Sequence, residues 1–311
     1  MIIKKNIYLL ITLGIMIGLI GISFYQWYQD SFSYAREYYI IEEECYNKKN
    51  MEHEYCEIFK NEGGLQYLNS YIENQNPKKV FDELDVLTTF ENIVLMTPFQ
   101  LMQTLSALLI IFTIVGLLHA EYSSGMFKNY LLKRDYKKYL KKFYTTIFKV
   151  ALIVPLALII IFLIVCLITK FNFNPTESAM LSTFYSEWKN SNILPYLLSL
   201  CLLQYMMSVV YGCIALLCIK QNKNILVSIS RGYIMFIVLA ITLYIPSVFF
   251  NISTYVARAL NILGYWFYDD YRSIWIMLPV ALGLLIIFII ISWRIYSNKE
   301  DVIIASEKQN A

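Results

Sequence analysis

Histidine, the side chain most often used for acid–base catalysis and metal binding, is scarce in this chain. The chain has only two histidines, His53 and His119, and neither stands in the H-E-x-x-H spacing that holds zinc in a hydrolase. The pattern G-x-x-x-x-G-K-[ST], whose backbone amides bind nucleotide phosphates, does not occur. The sequence therefore predicts that the chain is not an enzyme, with no catalytic residue, no metal and no cofactor of its own.

Five polar side chains stand inside long apolar runs and could line a path for a substrate: Gln100, Gln103, Thr104, Gln204 and Thr242. Such side chains also hydrogen-bond between neighbouring transmembrane helices, for about 0.6–2 kcal/mol each. Both interpretations, contacts between helices and a possible substrate path, stay open from the sequence. No Asp or Glu lies in the middle of an apolar run, which argues against an ion-coupled carrier.

The six cysteines fall into two groups. Four lie within apolar runs, where a free thiol acts as a small apolar side chain: Cys166, Cys201, Cys213 and Cys218. The other two, Cys45 and Cys56, lie in a polar segment. If that segment is extracellular, a disulfide can form between them, and two unpaired thiols are the alternative.

Six apolar runs must position these residues. Each has about 20 residues or more, enough at 1.5 Å per residue to cross a hydrocarbon layer of about 30 Å. A helix satisfies its own backbone hydrogen bonds in lipid. The sequence therefore predicts an all-α polytopic membrane protein with six transmembrane helices, at residues 7–27, 99–119, 147–169, 193–219, 225–250 and 274–293.

The charged residues predict the orientation of these helices. If both termini lie on one side, that side carries 16 Lys and Arg against five Asp and Glu, and the other side carries 10 against 18. Short basic loops stay in the cytoplasm. We therefore expect both termini to be cytoplasmic. The predicted organisation is an N-terminus with the first helix (1–27), an extracellular segment (28–97), the other five helices with a cytoplasmic loop at 120–146 (98–295), and a cytoplasmic tail (296–311).

Two local patterns precede the second apolar run. Thr97, Pro98 and Gln100 form a helix-start signal, which predicts that the second transmembrane helix begins at Pro98. Apolar residues at helical spacing predict a short amphipathic helix within residues 78–90.

The segment after the second run is strongly basic. Residues 121–144 read EYSSGMFKNYLLKRDYKKYLKKFY. Apolar residues recur there every three or four positions and predict one face of an amphipathic helix: Leu132, Tyr136, Tyr139, Phe143 and Ile147. Such a basic helix can rest on anionic lipid.

The start of this segment resembles the cytoplasmic loop between the second and third helices of type-2 ABC transporter permeases. The family pattern is a Glu, three residues, Gly-Thr, a basic residue, Leu-Leu, and later a Lys that begins the next helix. Here Met126 stands where Thr is usual, and KRDY replaces the common Pro-x-Ser-Arg. The matching residues are Glu121, Gly125, Lys128, Leu131, Leu132 and one of Lys141 and Lys142. The predicted layout of six helices is similar as well.

This resemblance implies the permease subunit of an ABC exporter. In the family, the loop is a coupling helix that inserts into a groove of a separate ATPase subunit, which holds ATP and Mg²⁺. The coupling residues would be Glu121, Gly125, Phe127, Lys128, Tyr130, Leu131 and Leu132. The implied partners are that ATPase, a second permease subunit and the lipid bilayer, with no nucleic acid, in a bacterial plasma membrane.

The apolar helices and the acidic, aromatic outer segment favour an antimicrobial peptide or another amphipathic compound as the substrate. The protein would export this compound or give the cell immunity to it. Two alternatives stay open. One is a sodium-efflux ABC permease. The other is a membrane sensor or anchor that does not transport, in which the outer segment binds a ligand.

Overall fold

The computed structural model describes residues 2–48, 54–56, 68–69, 72–73, 84–123, 136–174, 191–221, 224–260, 271–300 and 302–303. Within these ranges the chain forms helices and no strand. Six helical stretches are long and apolar enough to cross a membrane: Asn6–Asn47, Thr97–His119, Tyr136–Ile168, Ile193–Gln221, Ile225–Phe249 and Trp275–Ser297. The predicted all-α class with six candidate transmembrane helices is therefore confirmed.

Nine α-helices are described, together with a π-helical segment at Glu42–Asn47 and a 3-10 turn at Glu54–Cys56. The α-helices are α1 (Ile2–Ile41), α2 (Val86–Leu95), α3 (Thr97–Ser123), α4 (Tyr136–Ala151), α5 (Ile153–Ile168), α6 (Ile193–Gln221), α7 (Ile225–Phe249), α8 (Ser253–Ala259) and α9 (Tyr271–Ser297).

Most helix ends lie close to the predicted ones, and α1 is the main exception. The second transmembrane helix starts at Thr97, next to the predicted Pro98. The first helix continues to Ile41, well past the end of its apolar run at Trp27. Residues 28–41 contain no Gly or Pro, so no helix-terminating residue ends α1 where its apolar character ends.

The short helix before α3 begins later than predicted. Leu84 and Asp85 are not helical, and the Asp85 carboxylate accepts a hydrogen bond of 2.8 Å from the backbone amide of Thr88. Asp85 is thus the N-cap of α2 and fixes its first residue as Val86. The prediction of one helix through 84 and 85 was wrong, and residues 78–83 lie outside the described ranges.

The third candidate span is divided by a turn at Leu152, between α4 and α5. Pro155 has no amide hydrogen to donate to the carbonyl of Ala151, four residues before it, so the regular pattern of helical hydrogen bonds is interrupted there. Just before the proline, the amide of Leu152 bonds the carbonyl of Lys149, three residues before it, at 3.3 Å. This is the hydrogen-bond spacing of a tight turn and not of an α-helix.

The chain divides into two compact units. The bundle unit comprises Met1–Ile20, Pro98–Ile161 and Ser186–Ala311, and the second unit comprises Gly21–Thr97 and Phe162–Tyr185. In the bundle unit, α6 packs against α4, α7 and α9. It is also the most buried of the six candidate spans, since 89% of its most apolar 18-residue stretch is buried. Helix α6 is therefore the central helix of this unit.

A disulfide stabilises the second unit. Cys45 and Cys56 are bonded, with their Cα atoms 5.6 Å apart, and both side chains are fully buried in a small cluster with Ile41 and Leu68. Next to the disulfide, Lys48 pairs with Glu43 at 2.8 Å and with Glu44 at 2.7 Å. These hydrogen bonds, the one to Glu43 first, raise the pKa of Lys48 above its ordinary value.

Helix α2 lies against the end of α5 within the same unit. The rings of Phe90 and Phe162 meet edge to face, with their centroids 5.6 Å apart. The backbone amide of Val86 bonds the carbonyl of Asn172 at 2.8 Å, and the Asn172 side-chain amide bonds the carbonyl of Leu84 at 3.1 Å. Asn172 therefore bonds the residues before and after the N-cap Asp85 and fixes the start of α2.

Candidate functional site

The predicted coupling residues fall almost entirely outside the described ranges. Glu121 lies in the last turn of α3, where the structure describes the backbone alone. The remaining six are not described: Gly125, Phe127, Lys128, Tyr130, Leu131 and Leu132. Their contact with an ATPase stays a prediction. The structure does describe the two helices to which this segment is attached, α3 and α4.

Helix α4 has the amphipathic character that the sequence predicted. Tyr139, Phe143 and Ile147 are buried, and Tyr136 is half-buried. Leu132, the first residue of the predicted face, is not described. The rings of Tyr139 and Phe143 lie 4.4 Å apart at their centroids. The aromatic face of α4 thus packs into the bundle unit and leaves its basic residues on the other side.

Two tyrosines of α4 hydrogen-bond to α9. The hydroxyl of Tyr136 donates to the backbone carbonyl of Tyr296. About two turns further along α4 and one turn earlier on α9, the hydroxyls of Tyr144 and Ser292 share a hydrogen bond of 2.9 Å. The Tyr144 ring also lies 6.0 Å from the ring of Trp293. The two helices are therefore connected at two successive levels.

Helix α9 is joined in turn to α6. The buried hydroxyl of Tyr296 donates to the carbonyl of Leu216 at 2.6 Å. The ammonium of Lys220 donates to the carbonyl of Ile295 at 2.8 Å and lies 5.8 Å from the centre of the Tyr296 ring. A cation there also interacts favourably with the C-terminal ends of two helices. We call Tyr136, Tyr144, Lys220, Ser292 and Tyr296 the tyrosine junction.

A cavity of about 210 Å³ lies along α3 and α7 in the bundle unit. Its lining is mostly apolar, with three hydroxyl-bearing residues, Thr104, Tyr233 and Tyr244. The other lining residues are Phe236, Ile237, Ala240 and Ile241. A cavity with this lining can bind an apolar group and offer it a few hydrogen bonds.

Two contacts near this cavity hold α7 against α6 and α3. Phe236 is held by the ring of Tyr211 on α6, whose centroid is 5.1 Å away. A Cβ atom on Gly232 would lie 2.9 Å from Ile111 Cγ2, so α3 and α7 touch closely at that level. Thr104 is about two helical turns from Ile111. The cavity thus lies about two turns along α3 from this close contact.

The structure separates the five predicted path residues. Only Thr104 lines the cavity, and its hydroxyl donates to the carbonyl of Gln100 at 3.0 Å. Gln103 and Gln204 are buried, and no hydrogen-bond partner is found for the Gln103 amide among the residues described. Thr242 is exposed on α7 and bonds the carbonyl of Val238 at 2.7 Å. The five residues therefore do not form one continuous lining.

The sequence interpretation did not single out Tyr233 and Tyr244. A signal for them exists, because the lining residues 233, 237, 240, 241 and 244 recur at helical spacing along α7. The tyrosine junction was missed as well. Its bonds join residues 75 to 160 positions apart, such as Lys220 with Ile295 and Tyr136 with Tyr296, and no local pattern predicts them.

No protein-family model, curated protein or solved structure matches the chain. Over its described ranges, the chain is helical and has six segments able to cross a membrane.

Proposed function

We propose that this chain is the permease subunit of an ABC exporter, driven by a separate ATPase subunit that binds residues 121–132. One observation carries the proposal. The segment that resembles a coupling loop leads directly into α4, and the tyrosine junction ties α4 to α9 and to the central helix α6. A force applied to this segment would thus reach the helix with the most buried surface.

Such an arrangement suits a coupling element for a physical reason. Packed cores and hydrogen-bonded helix ends transmit displacement as rigid bodies, because they resist continuous deformation. A basic loop without such contacts to the bundle would bend under the same displacement and would not pass it on to the other helices. Tyr296 is buried, its hydroxyl bonds α6, and its backbone carbonyl accepts the bond from Tyr136 at the start of α4. The start of α4 is therefore held in the bundle.

The cavity along α3 and α7 supports an amphipathic substrate. Pockets for drug-sized molecules have volumes of about 300–1,000 Å³, so a cavity of about 210 Å³ holds a part of a larger molecule. The apolar lining accepts a side chain or acyl segment, and Tyr233 and Tyr244, which also line the cavity, carry hydroxyls able to donate or accept a hydrogen bond. An antimicrobial peptide or a similar compound fits this description. The exporter would act in a bacterial plasma membrane as a pair of permease subunits.

Purification from the native membrane tests the assignment. A tagged chain, extracted in mild detergent, should retain an ATPase subunit with a Walker A motif. The double variant Phe127→Ala/Leu131→Ala should lose that subunit while its level in the membrane is unchanged. Tyr46→Ala/Phe249→Ala, which removes two exposed aromatic side chains elsewhere, serves as the matched control and should keep it. An ATPase absent from the wild-type preparation would refute the proposal, and a kinase in its place would favour the sensor.

A further inference from the structure

One face of α4 carries four exposed lysines. Lys137, Lys138, Lys141 and Lys149 are all exposed, and at 100° per residue they lie within an arc of about 120°. The opposite side of the helix is the aromatic face buried in the bundle unit. Residues 136–151 include no Asp or Glu. We call these four residues the lysine face.

The lysine face has no carboxylate partner in the part of the chain that the structure describes. Lys137 and Lys141 are four residues apart on the helix, where like charges repel each other, and Lys138 lies within the same turn. A cluster of this kind is stabilised by anions from outside the chain. We therefore expect the lysine face to bind an anionic ligand.

Two aromatic residues indicate where the lysine face lies relative to the membrane surface. Tyr144 on α4 and Trp293 on α9 lie beside each other, and Trp293 is 52% exposed. Tyr and Trp concentrate at the boundary between lipid and water. At 1.5 Å per residue, Lys141 lies about 4.5 Å and Lys137 about 10 Å along the helix on the water side of Tyr144. These distances correspond to the headgroup layer.

Lys149 lies on the other side of Tyr144, about 7.5 Å along the helix towards the lipid interior. Its side chain is exposed and is long enough to extend back to the headgroups, as lysines near the ends of transmembrane helices do. Phe148, Leu152 and Leu156 are exposed on the continuation of the same face, 37%, 44% and 50% respectively. Positive charges are thus followed directly by an apolar surface.

We propose that the lysine face, together with Phe148, Leu152 and Leu156, is a binding site for an anionic phospholipid. The phosphodiester would lie among the ammonium groups, and an acyl chain would lie along the three apolar side chains. An acidic protein partner matches the lysines but does not match the exposed apolar surface immediately beyond them. The proposal is independent of the ATPase, because it concerns the chain and the bilayer alone.

The test uses the purified chain reconstituted in phosphatidylcholine vesicles with trace spin-labelled phosphatidylglycerol or phosphatidylcholine. The motionally restricted fraction of the spectrum gives the association constant of each lipid. We expect the wild type to prefer phosphatidylglycerol. Each exposed ion pair changes an affinity by about 1.4- to five-fold, so Lys137→Gln/Lys141→Gln should lower that preference by about two- to thirty-fold.

Two matched variants serve as controls. Lys137→Arg/Lys141→Arg keeps both charges and should keep the preference, which separates a lost charge from a misfolded protein. Arg36→Gln/Lys48→Gln removes two charges from the second unit and should also keep it. The proposal is overturned if the wild type binds both lipids equally or if the Gln variant retains its preference. It is likewise overturned if the Gln variant loses an ATPase on purification but not its lipid preference, since the face would then bind a protein.

Discussion

The hydroxyl of Tyr296 donates a hydrogen bond of 2.6 Å to the backbone carbonyl of Leu216, and this bond joins α9 to the central helix α6. The carbonyl of the same tyrosine accepts a hydrogen bond from Tyr136, the first residue of α4. Three helices therefore meet at one buried side chain, next to the first residue of α4.

Removing the hydroxyl of Tyr296 should weaken this meeting point. We expect Tyr296→Phe to lower the free energy of unfolding by about 1 kcal/mol, because one hydrogen bond is lost and the Leu216 carbonyl keeps only its helical partner. Thermal unfolding of the purified chain in detergent measures the change. Tyr25→Phe, at a side chain that is 63% exposed, is the control and should unfold like the wild type. Equal stability of both variants would show that the bond contributes nothing.

The close packing of α6 against its neighbours depends on a glycine. A Cβ atom on Gly212 would lie 2.5 Å from Ile147 Cγ2 and 2.8 Å from Ile114 Cδ1. Gly212→Ala should therefore lower stability by about 1–3 kcal/mol through overpacking, less the small gain in helix propensity. Gly18→Ala provides the comparison, because a Cβ there meets no described atom within 4 Å. We expect Gly18→Ala to unfold at or above the wild-type temperature, and the opposite order would contradict the described packing.

The sequence predicted the fold well wherever a local pattern determined it. Hydropathy located all six candidate spans, and the spacing of Tyr139, Phe143 and Ile147 identified the buried face of α4. Two helix ends were misjudged for local reasons. Helix α1 continues past its apolar run because no breaker follows Trp27, and α2 starts at Val86 because Asp85 caps it.

The disulfide should stabilise the end of α1 and the π-helical segment. Closing a loop between residues 11 apart is worth about 3 kcal/mol in the chain-entropy account. We therefore expect Cys45→Ala/Cys56→Ala to speed amide hydrogen exchange in peptides covering residues 35–47 by up to about 100-fold. Cys201→Ala removes a free thiol and should leave exchange in these peptides unchanged. Recovery of both Cys45 and Cys56 as alkylated thiols without reductant would dismiss the bond.

Filling the cavity should weaken ligand binding. Ala240 lines the cavity and is 5% exposed, whereas Val238, two residues before it on α7, is 57% exposed. We expect Ala240→Phe to lower affinity for a fluorescent cationic amphipathic peptide at least about ten-fold, because the added ring occupies the space for an apolar side chain. Fluorescence anisotropy with the chain in nanodiscs measures the affinity. Val238→Phe adds the same ring outside the cavity, so equal affinity of both variants would exclude the cavity as the binding site.

The candidate site was less predictable than the fold. Of the five polar residues chosen from the sequence, only Thr104 lines the cavity, since the direction of a side chain depends on how α3 and α7 are rotated against each other. The tyrosine junction is set by tertiary packing, because Tyr296 contacts residues 80 and 160 positions away in the chain. Hydropathy and periodicity carry no information about such pairs.

Photo-crosslinking in intact cells tests the central claim most directly. A benzophenone amino acid in place of Phe127 should, on illumination, form a covalent adduct with a Walker A ATPase, identified by mass spectrometry. The same amino acid in place of Phe249, which is 83% exposed on a candidate membrane span, should not form it. Adducts of Phe127 with lipid alone, or with a reagent confined to the outside of the cell, would contradict the account.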